Sequence, residues 1–185
     1  ADALSFTLSA GGRELLVDPG TYAYHTQEAW RRYFRGTAAH NTLRLDGLDQ
    51  SIPGGRFRWR KKARAGCSLW LSSPEKDSFE GWHDGYMRLD DPVKHRRLIE
   101  LDKRSRRVLI EDTLEMSEEH DVELFFHFSE LCRVAPAGDG FVTEFDPSLS
   151  SLVFSTYLGG TDIDDVQGLA VAGDGSVFVA GNTAS

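Results

Sequence analysis

Apolar and polar residues alternate along much of the first 135 positions. Leu4, Phe6 and Leu8 fall on one side of an extended chain, and Ser5, Thr7 and Ser9 on the other. Gly11-Gly12 marks a turn and 13–17 returns, which predicts a hairpin. Asp18-Pro19-Gly20 punctuates its end. The alternation resumes over 41–46 and stops at Asp46-Gly47, then recurs over 67–71, 95–101, 107–112 and 121–128. Lys103-Arg104-Ser105-Arg106 is a polar connection between two of these strands. Helical spacing is brief, over 27–33. Short strands separated by Gly, Pro and Asp turns predict an all-β chain built as an antiparallel β-sandwich.

The last 45 residues have a different character. Strands are predicted over 152–157, 169–172 and 177–180, divided by Gly and Asp turns such as Gly173-Asp174-Gly175. All 21 Lys and Arg precede residue 141, whereas 141–185 holds six acids and no base. That break, beside the loop-like Ala135-Pro136-Ala137-Gly138-Asp139-Gly140, predicts two units, 1–136 and 137–185.

Composition narrows the function classes. The chain of 185 residues is 40% apolar and 27% charged, which is globular and neither disordered nor membrane-spanning. No apolar run is long enough for a spanning helix, and no signal peptide is visible at the start. A net charge of −8 argues against a nucleic-acid partner. Cys67 and Cys132 are too few for a disulfide framework and lack zinc-finger spacing; one bridge or two free thiols both fit.

Two features carry candidate chemistry. On a continuous strand, Arg56, Arg58, Arg60, Lys62 and Arg64 share one face, with Phe57 and Trp59 on the other. Such a row is either a solvated face or a seat for an anionic polymer, since Arg grips carboxylates and sulfates bidentately. Among six histidines, His40 enters a strand, and Asp18 closes an earlier one. Imidazole and carboxylate are ordinary zinc ligands, but a usable site needs a third.

Several ordered motifs then coincide: Ala1-Asp2-Ala3-Leu4-Ser5-Phe6, Leu15-Leu16-Val17-Asp18-Pro19-Gly20-Thr21-Tyr22, and Arg35-Gly36-Thr37-Ala38-Ala39-His40-Asn41-Thr42 with Asp46-Gly47 and Asp49-Gln50. His95-Arg96-Arg97 and the Asp112, His120, Phe126-His127 pattern follow. Over about 1–135 the chain resembles the heparinase II/III-like family of polysaccharide lyases. The resemblance implies the β-sandwich of an enzyme that also carries an α/α toroid. Such an enzyme cleaves uronic-acid-containing, acidic polysaccharide by β-elimination in the bacterial periplasm or outside the cell. It implies Asp18 and His40 as two of three zinc ligands. The third, from a His-x-His pair, and the toroid's acid and base are not in this sequence. The chain alone is therefore expected to be inactive. Tyr24, Arg32, Arg35 and Asn41 lie near the ligand segments and are candidate substrate contacts, together with Arg58 and Arg60 of the cationic row. The alternative is a non-catalytic carbohydrate-binding or adhesion module.

The tail, with Ser155-Thr156-Tyr157-Leu158-Gly159-Gly160, resembles one bacterial β-propeller repeat, implying one blade-like unit after an incomplete sandwich. Asp162, Asp164 and Asp165 raise calcium as an alternative to a solvated turn, without EF-hand spacing. Two incomplete modules joined at a loop predict a truncated or fused chain.

Overall fold

The structure is a computed structural model. It describes residues 1–22, 27–55 and 57–134 in full, and the backbone of the strands at 135–137, 140–145, 152–154, 164–171 and 177–183. Tyr24, Arg56, the Ser155–Gly160 signature, Asp162 and the Gly173-Asp174-Gly175 turn lie outside the described residues.

The hairpin expected at Gly11-Gly12 is present, β1 (Leu8–Ala10) pairing antiparallel with β2 (Arg13–Leu16), but the alternation over 4–7 forms no strand, and Leu4 lies in a turn at φ 61°. Gly11 and Gly12 both hold positive φ, 59° and 75°, the geometry a two-residue hairpin turn demands and side-chain-bearing residues resist. Helix α1 (Glu28–Arg35) follows, then a 3-10 turn (Thr37–Ala39) and β3 (Leu43–Leu45). The helix starts one residue later than its spacing predicts, because Gln27 is left-handed at φ 52°, and it runs on to Arg35. Next come β4 (Ile52–Pro53), β5 (Trp59–Lys61), β6 (Ala65–Ser72), β7 (Lys76–His83), β8 (Lys94–Asp102), β9 (Arg107–Glu115) and β10 (Asp121–Phe126). The remaining strands are β11 (Cys132–Ala137), β12 (Gly140–Phe145), β13 (Leu152–Phe154), β14 (Asp164–Val171) and β15 (Val177–Thr183).

Two four-stranded antiparallel sheets form the body. One is the meander β6-β7-β8-β9; the other runs β14-β15-β10-β3. Leu43, Leu45, Val122, Leu124 and Phe126 from β3 and β10 meet Ile110 of β9 and Tyr86 and Val93 of the loop before β8 in one buried core. Each such side chain contributes roughly 1.5–3 kcal/mol through burial. An isolated bridge from Leu16 to Phe128 ties the first hairpin to the end of β10. The expected all-β sandwich is present.

Three further expectations change. The cationic row is not one strand: among its described residues, 57–64, only Trp59–Lys61 forms a strand, paired with β4, and Phe57 is 67% exposed. Strand β7 was not anticipated. Its sequence, Lys-Asp-Ser-Phe-Glu-Gly-Trp-His, does not alternate, yet it is central, bonded to both β6 and β8. A Cβ at Gly81 would come within 2.6 Å of the Leu4 and Phe79 side chains, so either side chain would have to shift to admit one. Finally, β11 runs to Ala137 and pairs with β12, so the division expected at 136/137 falls inside β11. Beyond it, β15 pairs with β10 along Asp121–Phe126 and so continues the sheet of β3.

Candidate functional site

Asp18 and His40 are brought together by two turns. Beyond β2, Val17 donates its N–H to the His127 carbonyl (2.9 Å), which fixes where the chain leaves the sheet. Asp18 then caps its own turn, one carboxylate oxygen accepting from the Gly20 N–H at 2.8 Å. Its other oxygen meets His40 Nδ1 at 2.7 Å. His40 is delivered by the 3-10 turn, its N–H bonded to the Thr37 carbonyl at 3.1 Å. The His40 ring is 5% exposed and the Asp18 side chain 33%. Burial would raise the Asp18 carboxyl, but the bonds from His40 and Gly20 outweigh it and hold it below its ordinary value. A carboxylate only accepts, so His40 Nδ1 is the donor in this bond and Nε2 points away from Asp18.

That geometry bears on the expected metal. A carboxylate bonded to one imidazole nitrogen is how proteins orient a metal-binding His through the other. Alternatively, two ligands of one tetrahedral zinc stand about 3.3 Å apart, so the pair needs to open only slightly from 2.7 Å. The donor types and their approach fit zinc, but as part of a ligand set: among the described residues no three His, Cys, Asp or Glu converge to hold a metal.

Asn41 stands next to His40 and is fully buried. Its Nδ2 donates to the carbonyls of Phe6 and Val17, both at 2.9 Å, and its Oδ1 accepts the His127 N–H at 2.6 Å. All three amide positions are filled from within the chain. Asn41 therefore positions the Asp18 and His40 segments, where substrate contact had been expected.

Gln50 does similar work. Its side chain joins both the N–H and the carbonyl of Ala3 (2.9 and 3.2 Å) and the Thr42 hydroxyl (3.2 Å). Asp49 accepts from the Thr37 N–H at 2.6 Å. Gly36 packs closely beside it: a Cβ there would lie 3.1 Å from that carboxylate and from the Tyr33 carbonyl.

An open cleft of about 340 Å³ lies between α1 and the β4–β5 hairpin, lined by Glu28, Arg31, Arg32, Arg35, Gly36, Asp49, Pro53, Gly55 and Trp59. Arg32 and Arg35, expected as substrate contacts, both line this cleft. The Arg35 guanidinium lies 4.5 Å over the Trp59 ring and donates to the Gly55 carbonyl at 2.7 Å. Arg58 and Arg60 are exposed on the adjoining segment, outside the cleft lining. Residues 28–64 hold ten of the chain's 21 Lys and Arg and three of its 29 acids, a positive region on an acidic protein.

Beneath the site runs a polar chain that the strand pattern did not reveal. The Gly85 N–H donates to His83 Nδ1 (3.1 Å), so the His83 proton is on Nε2 and faces His95 Nδ1 at 2.9 Å. His95 Nε2 then donates to Asp112 at 2.6 Å. Arg97 grips the same carboxylate with Nε and Nη2 (2.7 and 2.8 Å) and donates Nη1 to the carbonyls of Asn41 (2.7 Å) and Leu4 (3.0 Å). His83, His95 and Arg97 are fully buried. Burial pushes His83 down to about 3 and also lowers His95. For Asp112 burial acts upward, but Arg97 and His95 outweigh it and hold the carboxyl well below its ordinary range. The available signal was that positions 95, 97 and 112 fall on inward-facing steps of strands β8 and β9.

Residues 1–174 match the family described as heparinase II/III-like, C-terminal. The match passes the limit of about 135 expected from the motifs. No curated protein sequence matches the chain. Among solved structures, a heparinase III with methylated lysines superposes with a TM-score of 0.61 at 18% identity, over 96% of this chain and 26% of that one. The heparan sulfate lyase HepC from Pedobacter heparinus gives 0.57 at 16% identity, over 98% and 27%, and a mutant of it 0.60 at 16%, over 97% and 28%. At these identities the likeness is one of fold, and the chain spans about a quarter of each neighbour's length. On the match over residues 1–174, the chain belongs to the heparinase II/III-like C-terminal family.

Proposed function

We propose that this chain is the β-sandwich part of a lyase that cleaves uronic-acid-containing polysaccharide by β-elimination, in the bacterial periplasm or outside the cell. The observation that carries the reading is the arginine-lined cleft in the basic stretch that also contains His40, whose ring is bonded to Asp18. The reaction requires a neutralised carboxylate to acidify the C5 proton, a base to remove it and an acid to protonate the departing O4. Arg32 and Arg35 supply cationic donors for the first need. The base and acid come from an α/α toroid in the longer protein, so the chain alone binds substrate without cleaving it. Asp18 and His40 hold zinc together with at least one ligand from that other part. Bound there, zinc supplies a fixed positive charge that braces the junction.

The test is to incubate the 185-residue chain with heparan sulfate, hyaluronan and alginate, with and without zinc. Binding is followed by calorimetry and cleavage by the ultraviolet absorbance of unsaturated uronate. Binding without absorbance is expected, with Arg32→Ala weakening it about tenfold. Asp18→Ala and His40→Ala abolish the weak zinc uptake. Robust absorbance from the chain alone overturns the inactivity; absence of binding to every polyanion overturns the substrate class.

A further inference from the structure

Arg97 and Asp112 form a charge pair inside the sandwich. They stand directly opposite on β8 and β9, the guanidinium fully buried and the carboxylate side chain 11% exposed. Such a pair adds little stability over apolar residues of similar volume, because both ions lose their hydration. A use other than stability is visible in where the remaining donors go.

Nε and Nη2 of Arg97 hold Asp112, and His95 Nε2 donates to the same carboxylate. Nη1 instead leaves the strand pair and donates to the backbone carbonyls of Asn41 (2.7 Å) and Leu4 (3.0 Å). Asn41 is the peptide neighbour of His40, and its amide holds the carbonyl of Val17, the neighbour of Asp18. The Asn41 N–H donates to the Ser5 hydroxyl at 3.0 Å. With the Arg97 bond, every polar group of Asn41 has a partner. Leu4, the other recipient, is held at φ 61°, in the left-handed region that a bulky side chain resists. Strained backbone held in place beside a site marks a position set for function.

We infer that Arg97 is a positioning residue: anchored on Asp112, it sets the Asn41 peptide and through it the approach of His40 to Asp18. Its meaning for metal binding rests on the zinc role given to that pair under Proposed function. Metal-binding histidines are oriented by partners outside the ligand set, and losing such a partner weakens metal binding about 10–100-fold. Arg97 acts one step further out, through the backbone. The planar guanidinium explains why an arginine stands here. It grips a carboxylate with two donors and still aims a third group elsewhere, whereas a lysine ammonium is a single point.

The test uses the 185-residue chain with isotope-labelled histidine and reads the Nδ1 proton of His40 by NMR, identified by its loss in His40→Gln. A proton in a 2.7 Å bond to a carboxylate resonates far downfield. Its position reports the bond within folded molecules, whatever fraction is folded. Arg97→Lys keeps a cation on Asp112 and drops the carbonyl contacts. Arg97→Met combined with Asp112→Asn removes both charges and keeps an acceptor for His95, so the fold survives. Ile110→Ala, at a buried core position of β9, is the control for general loosening. Both Arg97 variants should move the His40 proton upfield or lose it, and should weaken zinc uptake, followed on the His40 signals, about tenfold or more. Ile110→Ala should leave both unchanged. An unmoved His40 proton or undiminished zinc uptake in both Arg97 variants, or an equal shift in Ile110→Ala, overturns the positioning role and leaves the zinc reading standing. Zinc that leaves His40 of the unmutated chain untouched, with the Arg97 variants still moving its proton, sinks the zinc reading and keeps Arg97 as the brace of the pair.

Discussion

His95 and His120 each meet an aspartate at 2.6–2.7 Å, yet their protonation moves in opposite directions. His95 is fully buried, and burial lowers its pKa more than Asp112 raises it. The Asp112 charge is already answered by Arg97, which holds both of its oxygens. His120 lies at the edge of the sandwich between Asp46 (2.7 Å) and Asp91 (3.1 Å). Burial acts downward there too, but the two carboxylates outweigh it and its pKa is raised. A nearby carboxylate does not make a histidine cationic; what else neutralises that carboxylate, and how much water reaches the ring, decides.

The largest break in this comparison comes from Arg97→Met. It leaves Asp112 buried without its cation and should cost about 3–5 kcal/mol in urea unfolding. It should also raise the His95 pKa in NMR titration; a cost under about 1 kcal/mol would show that Arg97 is not what keeps His95 neutral.

The next effect is the pH dependence of stability. His83 is lowered to about 3 and His95 is also lowered. Below their ordinary 6.5 the unfolded chain therefore takes up protons that the folded chain refuses, and stability falls as pH falls. Carboxylates held low, such as Asp18 and Asp112, lose their contribution only below their ordinary 3.8. The fall between pH 6.5 and about 4.5 thus belongs to the buried histidines, with His83 contributing about 2 kcal/mol. His83→Gln should flatten that part of the curve; an unchanged slope would assign it elsewhere.

The smallest effect sharpens the other side. The raised pKa of His120 gives stability that is complete below 6.5 and lost as pH rises through the folded value. The Asp46 side chain is 33% exposed, so screening limits the gain to about 1 kcal/mol. His120→Gln should cost that amount at pH 6, less at pH 8.5, and less again in high salt.

Particular residues show what the sequence could reveal. Period-two alternation gave the strands at β3, β8 and β9 because one face of each is more buried than the other; in β2 and β10 adjacent residues, Leu15 and Leu16, Phe125 and Phe126, are both buried. It missed β7, which is covered on both flanks and held by register. Asp18 and His40 were legible as a motif pair, and the structure brings them together. Arg97 and Asp112 were legible only as charges in strands. Their pairing depends on the register of β8 against β9, where they stand directly opposite, and single-strand patterns do not encode register. The helix over 27–33 was expected, but spacing defines a stripe without saying which stripe is buried, so the exposure of Trp30 and Tyr33 beside a buried Arg31 was invisible until the packing was known.

The Asn41 amide has a kinetic consequence. Its three bonds join positions 24, 35 and 86 residues away, and Arg97 reaches the Asn41 carbonyl across 56 more. Closing loops of such length is entropically late work in folding. The pair at Asp18 and His40 therefore has no local intermediate in which to preform. The Asp18–His40 contact should form in the same slow phase as burial of the core, and a chain caught half-folded should lack it.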